Sequence, residues 1–157
     1  MIQRDRLTAI LEDRFVVFLI GMRINQPLLI HKWWPVAMAM PRMLKELYRQ
    51  PELGLLHAES WFSRTIIVLQ YWRSMEHLIA YAKLKEAAHL PAWQAFNKAI
   101  GVDGSVGIWH ETYQVSPGGY ENVYVNMPPF GLGRAGKLQE AKGDLKSASD
   151  RLRANAK

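Results

Sequence analysis

The sequence predicts a single α+β domain built on a ferredoxin-like antiparallel sheet. Runs rich in β-branched and aromatic residues predict four strands, at residues 14–24, 55–62, 66–72 and 107–115. Apolar residues at helical spacing lie between the first and second strands and between the third and fourth. The resulting order, βαββαβ, is that of the split motif in which two helices cover one face of an antiparallel sheet.

Turn and cap signals set the limits of these elements. The first strand ends at Asn25-Gln26-Pro27, and residues 63–65 separate the two central strands as a hairpin turn. Because Pro35 and Pro41 disrupt helix interiors, we expect a short turn followed by a helix that begins at Pro41. Ser74 is expected to cap the second helix, and Pro91 to restart it.

The two ends of the chain are expected to lie outside the main domain. Residues 1–13 are interpreted as an N-terminal extension and residues 14–130 as the ferredoxin-like domain. Within that domain, a turn at residues 116–119 predicts a terminal hairpin that continues through residues 120–125. Residues 131–157 are rich in Ala, Lys, Ser and Arg, and they predict a marginal helix or a disordered tail.

The strands lack the alternation of apolar and polar residues that is typical of a sheet with one face exposed to water. Residues 15–20 and 66–69 are apolar without interruption, so both faces of the sheet are predicted to be buried. Two helices cover only one face, and a second copy of the chain is the simplest cover for the other. We therefore expect a homodimer, unless the C-terminal hairpin and tail fold back over that face.

Composition narrows the class of protein. The 157 residues are 49% hydrophobic and 22% charged, as in one globular domain, and contain no cysteine, which excludes disulfides and thiol nucleophiles. Charges interrupt the first 14 residues, so we expect no signal peptide and a cytoplasmic protein. The longest apolar run, residues 15–22, is too short to cross a membrane.

Nucleic acid and metal are not expected as partners. Half of the net charge of +6 lies in the tail from Lys137 onward, and no basic stripe interleaves with aromatic residues. No His-Glu-x-x-His pattern or acidic calcium loop occurs, and nucleotide-binding loops and serine nucleophile elbows are also missing.

The segment from Gly107 to Tyr113 carries the densest set of reactive side chains. Strand alternation places Trp109, Glu111 and Tyr113 on one face, and His110 with Ile108 and Thr112 on the other. With both faces buried, at least one ionisable group here would enter a low dielectric and mark a functional site. The alternative is an ion pair of His110 or Glu111 with Arg73, Arg23 or a partner subunit.

Two further regions suit a cavity wall. His89 and Trp93 flank the break at Pro91, with Phe96 on the same helical stretch. In the central hairpin, His57, Glu59 and Trp61 share one face, whereas Gln70 and Trp72 share a face of the next strand. Alternating polar and aromatic side chains suit either the floor of a ligand-binding pocket or a subunit interface in which the polar groups are hydrogen-bonded.

Five segments resemble a family of small bacterial and fungal monooxygenase-like proteins within the dimeric α/β-barrel superfamily. The first three are Met-Ala-Met-Pro-Arg-Met-Leu at residues 38–44, Gln-Tyr-Trp-Arg-Ser at 70–74, and 89–97, which starts with His-Leu-Pro-Ala-Trp and ends with Phe-Asn. The other two are Gly-Ile-Trp-His-Glu-Thr-Tyr at residues 107–113 and Tyr-Val-Asn-Met-Pro at 124–128. The resemblance implies the βαββαβ dimer already expected from strand polarity. The superfamily includes cofactor-independent monooxygenases and haem enzymes, so it does not assign one reaction.

Three functions follow as hypotheses. The first is a monooxygenase-type enzyme for an apolar or aromatic small molecule, with catalytic residues His110, His89 and Glu111 and substrate-binding residues Trp72, Trp93, Trp109, Tyr113 and Phe96. It uses either no cofactor or haem. The second is a haem protein of the same fold, whose axial ligand is His31, His89 or His110. The third is a non-enzymatic ligand-binding or interaction module.

Overall fold

The computed structural model describes residues 1–84 and 103–156 of the chain. In chain order, the elements are β1 (Leu7–Ile10), β2 (Phe15–Ile24), α1 (Ile30–Arg49), a 3-10 turn (Pro51–Leu53), β3 (Leu55–Trp61), β4 (Thr65–Trp72), α2 (Met75–Lys83), β5 (Val106–Val115), α3 (Leu132–Ala135), β6 (Lys137–Glu140), a second 3-10 turn (Gly143–Leu145) and α4 (Ala148–Ala154).

The main sheet has the predicted ferredoxin-like topology. Its strand order is β3-β4-β2-β5, and every neighbouring pair is antiparallel. The four predicted strands agree with β2, β3, β4 and β5 to within one or two residues. Phe18 at the centre of β2 lies opposite Gln70 on β4 and Thr112 on β5, so these three residues form one row across the sheet.

Helix α1 is longer than expected, because it runs unbroken from Ile30 to Arg49 through both prolines. The prediction that the helix begins at Pro41 was therefore wrong. Each internal proline removes one helical hydrogen bond and crowds the preceding turn, at a cost of about 3 kcal/mol. Burial of Leu47, with Met43 and Leu44 packed beside it, offsets that cost by holding the helix against the sheet.

The face of the sheet that carries α1 and α2 is called the front face here. A buried cluster joins both helices to it, and its members are Val16, Leu47, Leu55, Trp72, Leu78 and Tyr81. Helix α2 begins as predicted, since the Ser74 side chain accepts a hydrogen bond from the backbone N–H of His77. That cap fixes where α2 leaves β4 and therefore where its apolar side meets the sheet.

The opposite, back face is covered in part by the two ends of the same chain. Ala9 and Leu132 are buried with Phe15 in one cluster, which Tyr71, Tyr120 and Tyr124 also contact. Strand β1 pairs with β6 in a separate two-stranded sheet. Residues 1–13 thus contain a packed strand, and the expected marginal tail instead contains α3, β6 and α4.

The predicted terminal hairpin does not form. Residues 120–125 leave β5 and run beside β1, where Leu7 and Tyr124 exchange two backbone hydrogen bonds of 2.9 and 2.8 Å. The Asn122 side chain accepts from Ala9 N at 2.6 Å and donates to Ala9 O at 2.9 Å. These bonds satisfy hydrogen-bonding groups of the β1 backbone. The sequence pattern could not predict this pairing, because the two segments are more than 100 residues apart.

The remainder of the back face is not sealed by the described residues. Leu19, Ile67 and Leu69 are half-buried there, and Trp109 packs over Gly21. The expectation that water is excluded from both faces therefore holds only in part. Strand β5 forms the edge of the sheet, and its residues 110–114 are exposed.

Within residues 1–84 and 103–156, no helix is both long enough and apolar enough to span a lipid bilayer.

The C-terminal fold depends on a buried arginine. Arg151 is 3% exposed; its Nε donates to Glu121 Oε1 at 2.7 Å, and its Nη1 donates to the carbonyl oxygens of Leu145 and Lys146, each at 3.0 Å. Arg151→Ala is expected to lower the free energy of unfolding by about 3 kcal/mol, because it leaves Glu121 and two carbonyls without their donor. Urea denaturation followed by circular dichroism measures the change.

Arg153→Ala is the matched control, since its side chain is 76% exposed and pairs only with Asp150 among the described residues. It should leave the urea midpoint unchanged within error. Equal midpoints for the two variants would contradict a structural role for Arg151.

Candidate active site

A cavity of about 560 Å³ lies between the front face of the sheet and the two helices. This volume is within the range of small-molecule sites. Apolar side chains predominate in its wall, which in the described part of the chain consists of Phe18, Ile20, Val36, Ala39, Met40, Met43, Gln70, Trp72, Met75, Leu78, Ile79, Tyr81, Ala82, Ile108, His110 and Thr112.

The floor of the cavity is the centre of the sheet. Phe18 projects from β2 between Gln70 and Thr112, and its ring lies 5.8 Å from the ring of His110, centroid to centroid, at an angle of 46°. Because residues i and i+2 of a strand share a face, His110 and Thr112 both point from β5 to the cavity side. The imidazole therefore stands at the edge of an aromatic floor.

Trp72 belongs to both the core and the cavity wall. It is 1% exposed, and its indole Nε1 donates to Gln70 Oε1 at 2.8 Å. The ring of Tyr81 lies 5.7 Å away. This packing fixes the wall beneath α2, so the cavity is preformed on that side.

Two of the described lining residues carry ionisable groups, Tyr81 and His110. The Tyr81 hydroxyl donates to Glu46 Oε2 at 3.0 Å. Burial is the larger cause, and the Glu46 carboxylate the smaller, that raises the pKa of the Tyr81 phenol above its ordinary value. Tyr81 therefore keeps its proton at neutral pH. Among the described lining residues, His110 is then the one whose side chain is assigned as a proton acceptor.

The predicted candidates divide between the two faces of the sheet. His110 and Trp72 line the cavity, whereas Trp109, Glu111 and Tyr113 lie on the back face, as strand alternation predicts. Glu111 accepts a hydrogen bond of 2.6 Å from the Tyr113 hydroxyl, which raises the pKa of Tyr113. These three residues cannot contact a ligand held beside His110, because the sheet separates them from it.

The single chain by itself does not bury the ionisable groups of β5. His110 and Glu111 are both exposed, because β5 is the edge strand of the sheet that the described residues form. His31, the other described haem-ligand candidate, is exposed on the first turn of α1 and is not part of the cavity wall. His89, Trp93 and Phe96 lie outside the described residues.

Residues 1–84 and 103–156 contain no group of three His, Asp or Glu side chains arranged to hold a metal ion. The cavity does include three methionines, Met40, Met43 and Met75, which the sequence assigned to helix stripes. Stripe periodicity identifies the side of a helix that faces the sheet. It does not distinguish a filled contact from the wall of a cavity.

The hairpin residues His57 and Glu59 form a second polar cluster, on the back face. His57 Nε2 lies 2.9 Å from Glu59 Oε1, which also accepts from the backbone N–H of Gly131 at 3.1 Å. Tyr71 is held beside them, and burial raises its pKa to about 12. Its role is anchoring, since it attaches the loop before α3 to the sheet and lies away from the cavity.

Two solved structures are similar to this chain, and the first of them supports the likeness of fold. An aldoxime dehydratase in complex with butyraldoxime superposes with a TM-score of 0.58 at 11% identity, over 96% of this chain and 42% of that one. SnoaB, a cofactor-independent oxygenase from Streptomyces nogalater, gives a TM-score of 0.45 at 13% identity, over 64% of this chain and 91% of that one.

Sequence relationships are more specific. Monooxygenase af470 of Aspergillus fumigatus is 32% identical over 128 residues, which are 76% of this chain. The chain spans 45% of the length of that relative. The family described as Monooxygenase af470-like matches residues 15–132, which include β2 through β5 and the cavity. The chain therefore belongs to the Monooxygenase af470-like family.

Proposed function

We propose that the chain is a monooxygenase-type enzyme that oxidises an apolar or aromatic small molecule in the front-face cavity. The observation that carries the proposal is an imidazole, that of His110, at the edge of a cavity of about 560 Å³ whose described wall is predominantly apolar. Membership of a monooxygenase-like family supports the reaction type. His110 is assigned as the proton acceptor, and Trp72 with Phe18 as the surface on which the substrate rests.

The chemistry suits a substrate with an acidic CH₂ group next to a carbonyl that is conjugated with an aromatic ring. His110 takes one proton from that carbon, and the resulting anion gives electrons to O₂ as a C–O bond forms. Loss of the second C–H proton and cleavage of the O–O bond then produce a ketone and water. The balance is CH₂ plus O₂ to C=O plus H₂O, so the substrate supplies all four electrons.

An apolar wall contributes to such a reaction in two ways. It shields the part of the substrate between the helices and the sheet from water, which would otherwise protonate the anion before oxygen reacts, and it holds a flat substrate against Phe18 within reach of His110. Trp93, Phe96 and His89 remain predicted members of the site. Trp109, Glu111 and Tyr113 are no longer assigned to it, because they project from the other face.

We further propose that the uncovered part of the back face pairs with a second copy of the chain. Leu19, Ile67, Leu69 and Trp109 form a contiguous half-buried surface on three neighbouring strands. Apolar sheet surface of this kind is stabilised by a second sheet, and a two-fold pairing is the commonest arrangement. The chain termini already cover the adjoining half around Phe15, so the partner would pack beside them.

Filling the cavity is expected to weaken ligand binding. Ala39→Phe places a ring in the space between α1 and the sheet, so the Kd of a small aromatic probe such as 1-naphthol should rise at least tenfold, or about 1.4 kcal/mol. Isothermal titration calorimetry measures it. Ala80→Phe makes the same change on the exposed side of α2 and should leave the Kd unaltered. Loss of binding in both variants, or in neither, would place the probe elsewhere.

Replacing the proposed base is expected to stop the reaction without preventing ligand binding to the cavity. His110→Gln should lower kcat for oxygen consumption with enolisable aromatic ketones by about 10² to 10⁴, with the Kd of 1-naphthol nearly unchanged. An oxygen electrode gives the rate. Gln114→Ala, an exposed change on the same strand and the same face, is the control and should retain full activity.

Two results would refute this assignment. One is wild-type protein that consumes no oxygen with any substrate of the class. The other is a His110→Gln variant as active as wild type. Addition of haemin provides the discriminating control: a Soret band that is lost in His110→Gln would assign the same cavity to haem.

Dimerisation is tested by charging the uncovered surface. Leu69→Glu should convert a dimer into a monomer in native mass spectrometry and sedimentation velocity, because an unpaired carboxylate cannot be buried between two sheets. Lys45→Glu, an exposed change on α1, should leave the dimer intact. Wild-type protein that sediments as a monomer at high concentration would refute the pairing.

A further inference from the structure

The side-chain amide of Gln70 has an orientation that its neighbour dictates. Gln70 is 2% exposed on β4, and its Oε1 accepts the indole N–H of Trp72 at 2.8 Å. Indole nitrogen only donates, so a flipped amide would put two donors face to face. The NH₂ group of Gln70 must therefore point away from Trp72.

The NH₂ group points to the side of the cavity where Met40 lies. Its partner among the described residues is the Met40 sulfur, with Nε2 to Sδ at 3.7 Å. A thioether is a weak acceptor, and an amide nitrogen has two hydrogens to donate. Buried polar groups in proteins normally have good hydrogen-bond partners, so a donor in this position has unused capacity within an apolar wall.

The register of the sheet places this donor across the floor from His110. Gln70, Phe18 and Thr112 occupy one row on three adjacent strands, so Gln70 and Thr112 are about 10 Å apart with Phe18 between them. His110 stands beside Thr112 on the same strand and face, with its ring near Phe18. A planar ligand resting on Phe18 would have one edge at Gln70 and the opposite edge near His110.

We infer that Gln70 is the binding site for an oxygen atom of the substrate, which is therefore an enolisable aromatic ketone rather than a plain hydrocarbon. The inference rests on the proposed function and names its substrate class. When His110 removes a proton from carbon, negative charge moves to the conjugated oxygen. An N–H donor already aimed at that oxygen stabilises the anion more than the neutral ligand, so it accelerates proton removal.

The first test compares two ligands of the same shape, 2-acetonaphthone and 2-ethylnaphthalene, which differ in the carbonyl oxygen. Wild type should bind the ketone more tightly, and Gln70→Met should reduce this preference about five- to tenfold, because the amide donor is lost. Gln114→Met is the matched control: it makes the same change at an exposed position outside the cavity wall and should retain the preference. An unchanged preference in Gln70→Met, or its loss in Thr112→Val instead, would overturn the assignment.

A second measurement uses wild-type protein, so it does not depend on whether the Gln70 variant folds. In wild-type protein, the infrared carbonyl stretch of bound, ¹³C-labelled 2-acetonaphthone should lie below its value in hydrocarbon solvent, because the carbonyl accepts a hydrogen bond. The shift should persist in His110→Gln and Thr112→Val, where Gln70 is intact. A hydrocarbon-like frequency in wild type overturns the inference.

These readouts are separate from turnover. A ketone preference that depends on Gln70, found in protein that consumes no oxygen, would support the oxygen site and refute the proposed oxygenase activity. Oxygenase activity that depends on His110 but is unaffected in kcat and KM by Gln70→Met would support the proposed function and refute the role of Gln70.

Discussion

The contact of α1 and α2 with the front of the sheet is the constraint on which the rest of this protein depends. Val16, Trp72, Leu47 and Tyr81 are buried together where the helices meet the strands, and this cluster holds both helices in place. Away from the cluster, the helices and the sheet do not close completely. The space between them is the cavity, so the same packing that stabilises the domain also defines the site.

The back face follows a different physical rule. A sheet whose strands are apolar on both sides needs a second cover, and part of it comes from the ends of the chain. The loop before α3 is attached by backbone N–H groups: that of Gly131 donates to Glu59 and that of Gly133 donates to the hydroxyl of Tyr124. Gly131 has a φ of 52°, so a side chain there would be strained. The attachment therefore depends on backbone geometry that favours glycine.

The cavity combines an apolar wall with polar groups at separate positions, an arrangement suited to a substrate that is mostly hydrophobic. Gln70 and His110 project from strands on either side of Phe18, one with an amide donor and the other with a proton acceptor. Gln70 is buried in a low dielectric, so its amide has a large effect on charge that develops nearby. The family relationship supports oxygenation as the proposed reaction type, and the apolar cavity wall supports the proposed aromatic substrate.

The sequence by itself determined the βαββαβ order, the limits of the four main strands and the face on which each β5 residue lies, because these depend on local periodicity and turn residues. It also included His110 and Trp72 among the predicted site residues, and both line the cavity. Tertiary structure decided the rest. Helix α1 continues through Pro35 and Pro41 because burial offsets their cost, and residues 120–125 pair with β1 because Asn122 meets the backbone of Ala9. Exposure of β5 and the orientation of the Gln70 amide likewise depend on neighbours distant in the chain, which no local pattern encodes.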